Sequence, residues 1–337
     1  MINKQKKFNL IIKKLNFNEF GKFKNFIIKN YKKNHILAKH KKLFNWFYKS
    51  KNNYNFLSAK YNNKIIGVIG FIPLKHFDHK LKNQFFFSLA VVAKKKIPGV
   101  FLKLIKKTKL MFLSNFVGVV GINKNLLNFH RWIGYNVNLM SHHFFQNSKK
   151  KNLILKKKYN YKSLIEKELD IIKISKNNLS LLDSTIFLNQ TPKKSKNYLL
   201  NRYINNPFYD YKLYLIQKNK IKIILISRIA LVKKVPIMRI VDLIYKNSDL
   251  RYVGNSIQKI LEQNNCEYAD LYSFGIDNKI LNSCGFVNRY LSNEIIPEYF
   301  EPFVNKNIDL YSAYISNEKN IRLFKGDGDM DRPSKIL

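Results

Sequence analysis

Apolar and polar positions along this chain follow two periods, one suited to strands and one to helices. Residues 64–74 and 84–93 are apolar runs rich in Ile, Val and Phe, bounded by Asn, Lys or Pro, which predicts two strands. A third run, 116–122, is shorter and of the same kind. Between the second and third, Gly99-Val100-Phe101-Leu102-Lys103-Leu104-Ile105 sets apolar residues at helical spacing after a Pro-Gly break. The helix predicted there directs its N-terminal N–H groups and positive dipole end toward whatever binds beside the turn, an arrangement that suits phosphate. Ahead of the first long strand, Phe20, Phe23, Phe26, Ile27 and Tyr31, then Leu37, Leu43, Phe44 and Phe47, recur at intervals of three and four and predict two helices.

The same order returns in a worn form. Residues 213–231 repeat 57–74 as strand, Asn-Lys turn and strand; 238–245 stand in the place of the central strand, and 251–262 read as a helix. Residues 267–273 and 280–286 end in Cys-Gly-Phe where 116–135 end in Ile-Gly-Tyr. This second copy has no Gly-x-Gly turn. The expected organisation is an N-terminal domain over 1–147, a linker or edge segment over 148–175 around NSKKKNLILKKK, a second domain over 176–320 and an acidic tail over 321–337.

With 46% hydrophobic and 14% aromatic residues, the chain is expected to bury a core instead of remaining disordered. The net charge of +41 suggests nucleic acid, but eight of the 62 basic residues are arginine and the lysines are spread among abundant Asn, Ile, Phe and Tyr. That joint enrichment matches drift in an adenine- and thymine-rich genome, whereas nucleic-acid surfaces cluster their charge and lean on Arg. Specific nucleic-acid binding is therefore not expected. A general attraction to polyanions, and peripheral contact with anionic membrane surfaces, does follow from the sign of the charge. Cys266 and Cys284 have no zinc-like spacing or disulfide framework, so a reducing cytoplasm is expected. No apolar run approaches the roughly 18 residues of a membrane span.

Residues 96–101, Lys-Ile-Pro-Gly-Val-Phe, lie where the GCN5-related N-acetyltransferases carry their Gln/Arg-x-x-Gly-x-Gly/Ala turn, and 60–135 resemble the core of that superfamily. Lys96 and Phe101 replace the first residue and the second small residue of that turn. Asn123, Leu126, Phe129, His130, Gly134 and Tyr135 fall at the spacings of the family's Asn-x-x-Ala-x-x-Leu-Tyr-x-x-x-Gly-Phe signature. The resemblance implies an α/β (α+β) protein with tandem acetyltransferase-like domains, each a mixed, mostly antiparallel sheet flanked by helices. It implies an acyl-coenzyme A dependent N-acyltransferase using acetyl-coenzyme A or another acyl-coenzyme A, without a metal. Coenzyme-binding positions would be Leu89, Val91, Val92, Lys94, Lys95, Lys96, Gly99, Val100 and Asn123, with a backbone N–H of the splayed central strand polarising the thioester.

His130 stands where the family has the Tyr that protonates the departing thiolate; read on its own, it is as well a buried histidine with a structural hydrogen bond. Asp78 with His76 or His79, in the loop after the first long strand, suits proton removal from an acceptor amine better than metal binding, because an extended loop does not converge three ligands. His40, Trp46 and Tyr48 are placed to stack on or hold a sugar, or to pack a helix onto the sheet. Residues 194–209 would contact a nucleotide-sugar or form an interdomain seam. Asp327, Asp329 and Asp331 alternate in the tail without calcium-loop geometry. Such a tail would dock on the basic body or order an acceptor amine. Together with the tandem halves and the region of Trp46 and Tyr48, it resembles acyltransferase-like proteins of bacterial surface-polysaccharide gene clusters, which implies an amino sugar or nucleotide-sugar acceptor. Two other classes stay open: a scaffold that kept the fold and lost the coenzyme, and a transferase taking an aminoacyl group from transfer RNA.

Overall fold

The computed structural model describes residues 10–93, 97–111, 114–159, 167–246, 249–297 and 305–333. The first half opens with β1 (Leu10–Lys14), α1 (Phe20–Asn30), the short α2 (Ile36–Lys39) and α3 (Lys41–Tyr48). Phe23, Phe26 and Ile27 form the buried face of α1, as their spacing predicts. β2 (Phe56–Tyr61), β3 (Lys64–Pro73), β4 (Gln84–Val92), α4 (Val100–Leu110), β5 (Phe116–Ile122), α5 (Leu127–Trp132) and β6 (Asn136–Leu139) follow. β7 (Ser141–Gln146) ends the first half, and the second half runs β8 (Asp170–Ile174), α6 (Lys196–Leu199), β9 (Tyr211–Lys218), β10 (Ile221–Val232), β11 (Val235–Tyr245), α7 (Gly254–Gln263), β12 (Tyr268–Phe274) and α8 (Asn278–Ser283). It closes with β13 (Val287–Asn288), β14 (Tyr311–Ser316) and β15 (Leu323–Phe324).

Two sheets result, in the orders β1-β2-β3-β4-β5-β14-β6 and β13-β7-β12-β11-β10-β9-β8. The orders are the same once β1–β4 are matched to β8–β11 and β5 to β12, which confirms the repeat. Each half, however, lends one strand to the other: β7 pairs with β12 and β13, and β14 pairs with β5 and β6. The two sheets therefore exchange strands across the boundary expected at residue 147. In the expected linker, Glu267 accepts from the N–H groups of Leu153, Ile154 and Leu155, and Glu294 from those of Lys156 and Lys157. Two buried carboxylates thus satisfy a stretch of irregular backbone that water would otherwise have to serve.

In each half the parallel pair at the sheet centre comes apart. β4 and β5 pair only from Gln84↔Phe116 to Phe87↔Val119, and β11 and β12 only from Met238↔Ala269 to Ile240↔Leu271. Where they part, β4 carries a bulge at Ser88 and Leu89, and β11 one at Val241, each setting an extra residue against its antiparallel neighbour. The second opening is filled by the chain itself. β15 pairs with β12 at Ser273 and Phe274, Gly326 donates its N–H to the Val241 carbonyl at 2.8 Å, and Arg322 Nη1 reaches the Tyr245 carbonyl at 2.7 Å. Gly275, at φ 86°, lies so close beneath this segment that a Cβ there would sit 1.9 Å from the Ile321 carbonyl oxygen.

Residues 321–333 of the expected acidic tail therefore form an interior element. Asp327 joins the buried trio Lys194–Asp242–Asp327, with Lys194 Nζ 2.6 Å from Asp242 and 3.2 Å from Asp327. Asp331 takes a two-pronged contact from Arg228 at 2.8 and 2.9 Å and the Tyr211 hydroxyl at 2.7 Å. Arg202 Nη2 donates to the carbonyls of Gly326 and Gly328 at 3.1 and 2.7 Å. Residues 194–209 thus contribute Lys194 and Arg202 to the seam against the tail. Replacing Lys194 by Met should strand two buried carboxylates and cost about 3–5 kcal/mol. Denaturant unfolding at neutral pH measures this, and a loss under about 1 kcal/mol would show that the trio does not hold the tail.

Candidate active site

Among the described residues no strand fills the opening between β4 and β5, which leaves a cavity of about 420 Å³. Its walls come from Ser88, Leu89 and Ala90 on β4, the end of β5 with Asn123, and Phe101 and Ile105 on α4. Leu126 and His130 close one side, Tyr31, Lys32, Asn34 and His35 between α1 and α2 with Ile36 at the start of α2 another, and Asp329, Met330, Arg332 and Pro333 of the tail the last. Ala93 donates its N–H to the Ile66 carbonyl on β3 at 2.9 Å. Strand alternation therefore turns the N–H groups of Val92 and Ala90 the other way, toward the edge from which β5 has diverged. That edge can pair with an extended, amide-bearing ligand as a further strand would.

α4 begins beside this edge. Gly99, at φ 73°, adopts the left-handed conformation that glycine takes without strain, and the space where its Cβ would lie is open. The first helical bond runs from Lys103 N–H to the Gly99 carbonyl, so the N–H groups of residues 100–102 have no acceptor within the helix. The Phe101 ring lies 5.1 Å from that of Phe129 on α5 and forms part of the cavity wall. It leaves the space over Gly99 clear. Lys94, Lys95 and Lys96 lie outside the described residues.

Of the residues singled out from sequence, Leu89, Asn123 and His130 line the cavity. Val91, Val92, Gly99 and Val100 are outside its lining, although the Val92 N–H faces the edge of β4 and Gly99 precedes the open N-terminus of α4. His130 is buried, its Nδ1 has no hydrogen-bond partner among the described residues, and burial with the nearby Lys109 lowers its pKa to about 4. It is a neutral imidazole at pH 7, so it offers a hydrogen bond to a departing sulfur but holds no extra proton to give. Asp78 and His76 are off the cavity. Asp78 accepts from the Ser195 hydroxyl and from Lys80 N–H at 3.0 Å, and His76 Nε2 lies 2.7 Å from the Trp46 carbonyl. Both residues tie a loop into the interior and are not placed to take a substrate proton.

The three aromatic acceptor candidates also face inward. His40 caps α3, accepting from Leu43 N–H at 3.1 Å; Trp46 packs against Phe77; Tyr48 is wholly buried. Tyr48 nevertheless serves the cavity indirectly, donating to Asp329 Oδ2 at 2.6 Å. Arg332 Nη1 reaches the same oxygen at 2.7 Å. Asp329 Oδ1 has no partner among the described residues, so a wall of the cavity presents an unspent carboxylate oxygen. Sequence reading marked Asp329 only as one of three alternating acids, and nothing local sets it apart from Asp327 and Asp331.

No protein-family model matches the chain, and no curated protein matches it in sequence. Solved structures do match it in shape. A GCN5-related N-acetyltransferase from Anabaena variabilis superposes with a TM-score of 0.55 at 11% identity, over 90% of this chain and 72% of the other. One from Kribbella flavida gives 0.55 at 8% identity, over 91% and 71%. The chain has the mixed α/β fold of these tandem acetyltransferases. Among the described residues, no helix is long and apolar enough to cross a membrane.

Burial holds His35 and His143 neutral as well, with pKa values lowered to about 3 and about 4. Unfolded histidines bind protons from about pH 6.5 downward. Stability should therefore fall as the pH drops from about 6.5 to about 4, and level off once the folded histidines protonate too. Asp327, pushed up to about 6 by burial, binds its proton first in the folded state and offsets part of this loss. His130→Gln should remove about 1.4 kcal/mol per pH unit from the slope in that window. Unfolding free energies measured across it test this; an unchanged slope would show that His130 is not held neutral.

Proposed function

We propose that the protein is an acyl-coenzyme A dependent N-acyltransferase, in the simplest case an N-acetyltransferase, whose acceptor is an amine such as an amino sugar for a surface polysaccharide. The observation that carries this reading is the opening between β4 and β5, which sets free strand edge, helix N-terminus and an unspent carboxylate around one cavity. The site fits an acyl-coenzyme A as substrate. The N–H groups of Ala90 and Val92 would pair with its pantetheine amides, and the start of α4 beyond Gly99 would receive its pyrophosphate. The reaction joins the acceptor nitrogen to the acyl carbon and breaks the carbon–sulfur bond.

The roles of this chain's residues follow from where they sit. Asp329 Oδ1 accepts a hydrogen bond from the neutral amine and takes its proton as the nitrogen bonds to carbon. A backbone N–H at the β4 bulge polarises the carbonyl oxygen. His130 donates a hydrogen bond to the departing sulfur, which takes its proton from water. Tyr48 and Arg332 fix the carboxylate so that little reorganisation is needed during reaction. The strand-filled second opening leaves that half to support the first.

Titration calorimetry with acetyl-coenzyme A, followed by release of free thiol in the presence of an amine panel, tests the assignment. Saturable binding and acceptor-dependent thiol release are expected. Asp329→Asn should lower kcat by about 10²–10⁴ with acetyl-coenzyme A still bound. Absence of saturable binding would replace this reading with that of a non-catalytic scaffold.

A further inference from the structure

We infer that the acceptor is an amine with an anionic group two or three bonds away, of the kind found in an α-amino acid or a 2-amino sugar 1-phosphate, and that Arg332 selects it. The inference rests on the transferase reading for the role of the amine. In the tail, Asp329 and Arg332 share one turn: Arg332 N–H donates to the Asp329 carbonyl at 3.1 Å, and its Nη1 reaches that carbonyl at 3.0 Å and Oδ2 at 2.7 Å. Nη1 is thereby used, and Oδ2, which also takes the Tyr48 hydroxyl, is saturated. Asp329 Oδ1 and the Nε and Nη2 atoms of Arg332 have no hydrogen-bond partner among the described residues, and both side chains line the cavity.

An acceptor edge and a donor fork therefore stand side by side, held at one spacing by their own ion pair. Their complement is a molecule whose amine donates to Oδ1 while two oxygens of a carboxylate or phosphate accept from the guanidinium, the planar geometry in which arginine binds oxyanions best. Because the two edges belong to one pair, amine and anion must also be neighbours. The charge agrees. Among the described residues that line the cavity, Lys32 and Arg332 oppose the single carboxylate of Asp329, and His35, beside both cations, is held neutral by burial. One positive charge is left over, matching an acceptor whose attacking amine is neutral and whose anionic group carries the charge.

The test is titration calorimetry without acyl donor, using glucosamine 1-phosphate against glucosamine and L-alanine against L-alaninamide. At least one anionic amine should bind about tenfold to a hundredfold more tightly than its neutral counterpart. Which pair shows the difference distinguishes phosphate from carboxylate. Arg332→Gln should abolish the preference, and Arg332→Lys, which keeps the charge without the fork, should retain only part of it; melting temperatures check that each variant folds. Equal affinity within both pairs, or no binding of either anionic amine by protein that binds acetyl-coenzyme A, would overturn the inference. Failure to bind acetyl-coenzyme A would instead overturn the transferase reading, while the affinities within each pair still decide the role of Arg332.

Discussion

A parallel strand pair that parts leaves backbone N–H and C=O groups without partners, and the architecture is arranged around two such openings. Buried backbone groups must find hydrogen bonds, so each opening has to be filled by chain, ligand or water. In the second half the chain fills it: β15 extends β12, and Gly326 takes the carbonyl that the β11 bulge exposes at Val241. In the first half no strand of the described residues enters, and the opening becomes the cavity. One topology thus yields a closed support and an open site, and the difference lies in where residues 321–333 run.

The tail then links the two. It leaves the second opening at Asp327, passes over β4, and ends its described course in the wall of the cavity with Asp329 to Pro333. Its position is held by arginine, lysine and tyrosine from the second half and by Tyr48 from the first. Together with the exchanged strands β7 and β14, this makes the halves interdependent: neither sheet is complete without chain from the other. Buried ion pairs add little net stability compared with apolar packing, but they penalise any arrangement that leaves one partner alone. Here they fix the register of a glycine-rich segment with few apolar anchors.

The same pairing explains the unusual charge balance. Of the 21 acidic residues, ten are buried among the described residues, including all three aspartates of the tail. Acidic side chains are rarely fully buried without partners. Most of this chain's lysines stand on the outside, so a chain that looks uniformly basic in sequence keeps much of its negative charge in its seams. The basic exterior attracts anions in general, and the interior carboxylates hold the seams together.

The amino-acid sequence by itself determined what depends on local pattern. Period-two and period-three-to-four runs placed the central strands and the helices that flank them, the Pro-Gly break placed the start of α4 at Gly99, and the echo of residues 57–135 in 213–286 revealed the repeat. It also marked Leu89, Asn123 and His130, which the cavity gathers. Only the tertiary structure decided that Asp78, His76, His40 and Trp46 turn away from the cavity, that β7 and β14 change places, and that the tail supplies Asp329 and Arg332. Periodicity tells which face of an element is buried, not what it is buried against. The bond from Tyr48 to Asp329 spans 281 residues of sequence, and no local pattern records a contact made by such distant parts of the chain.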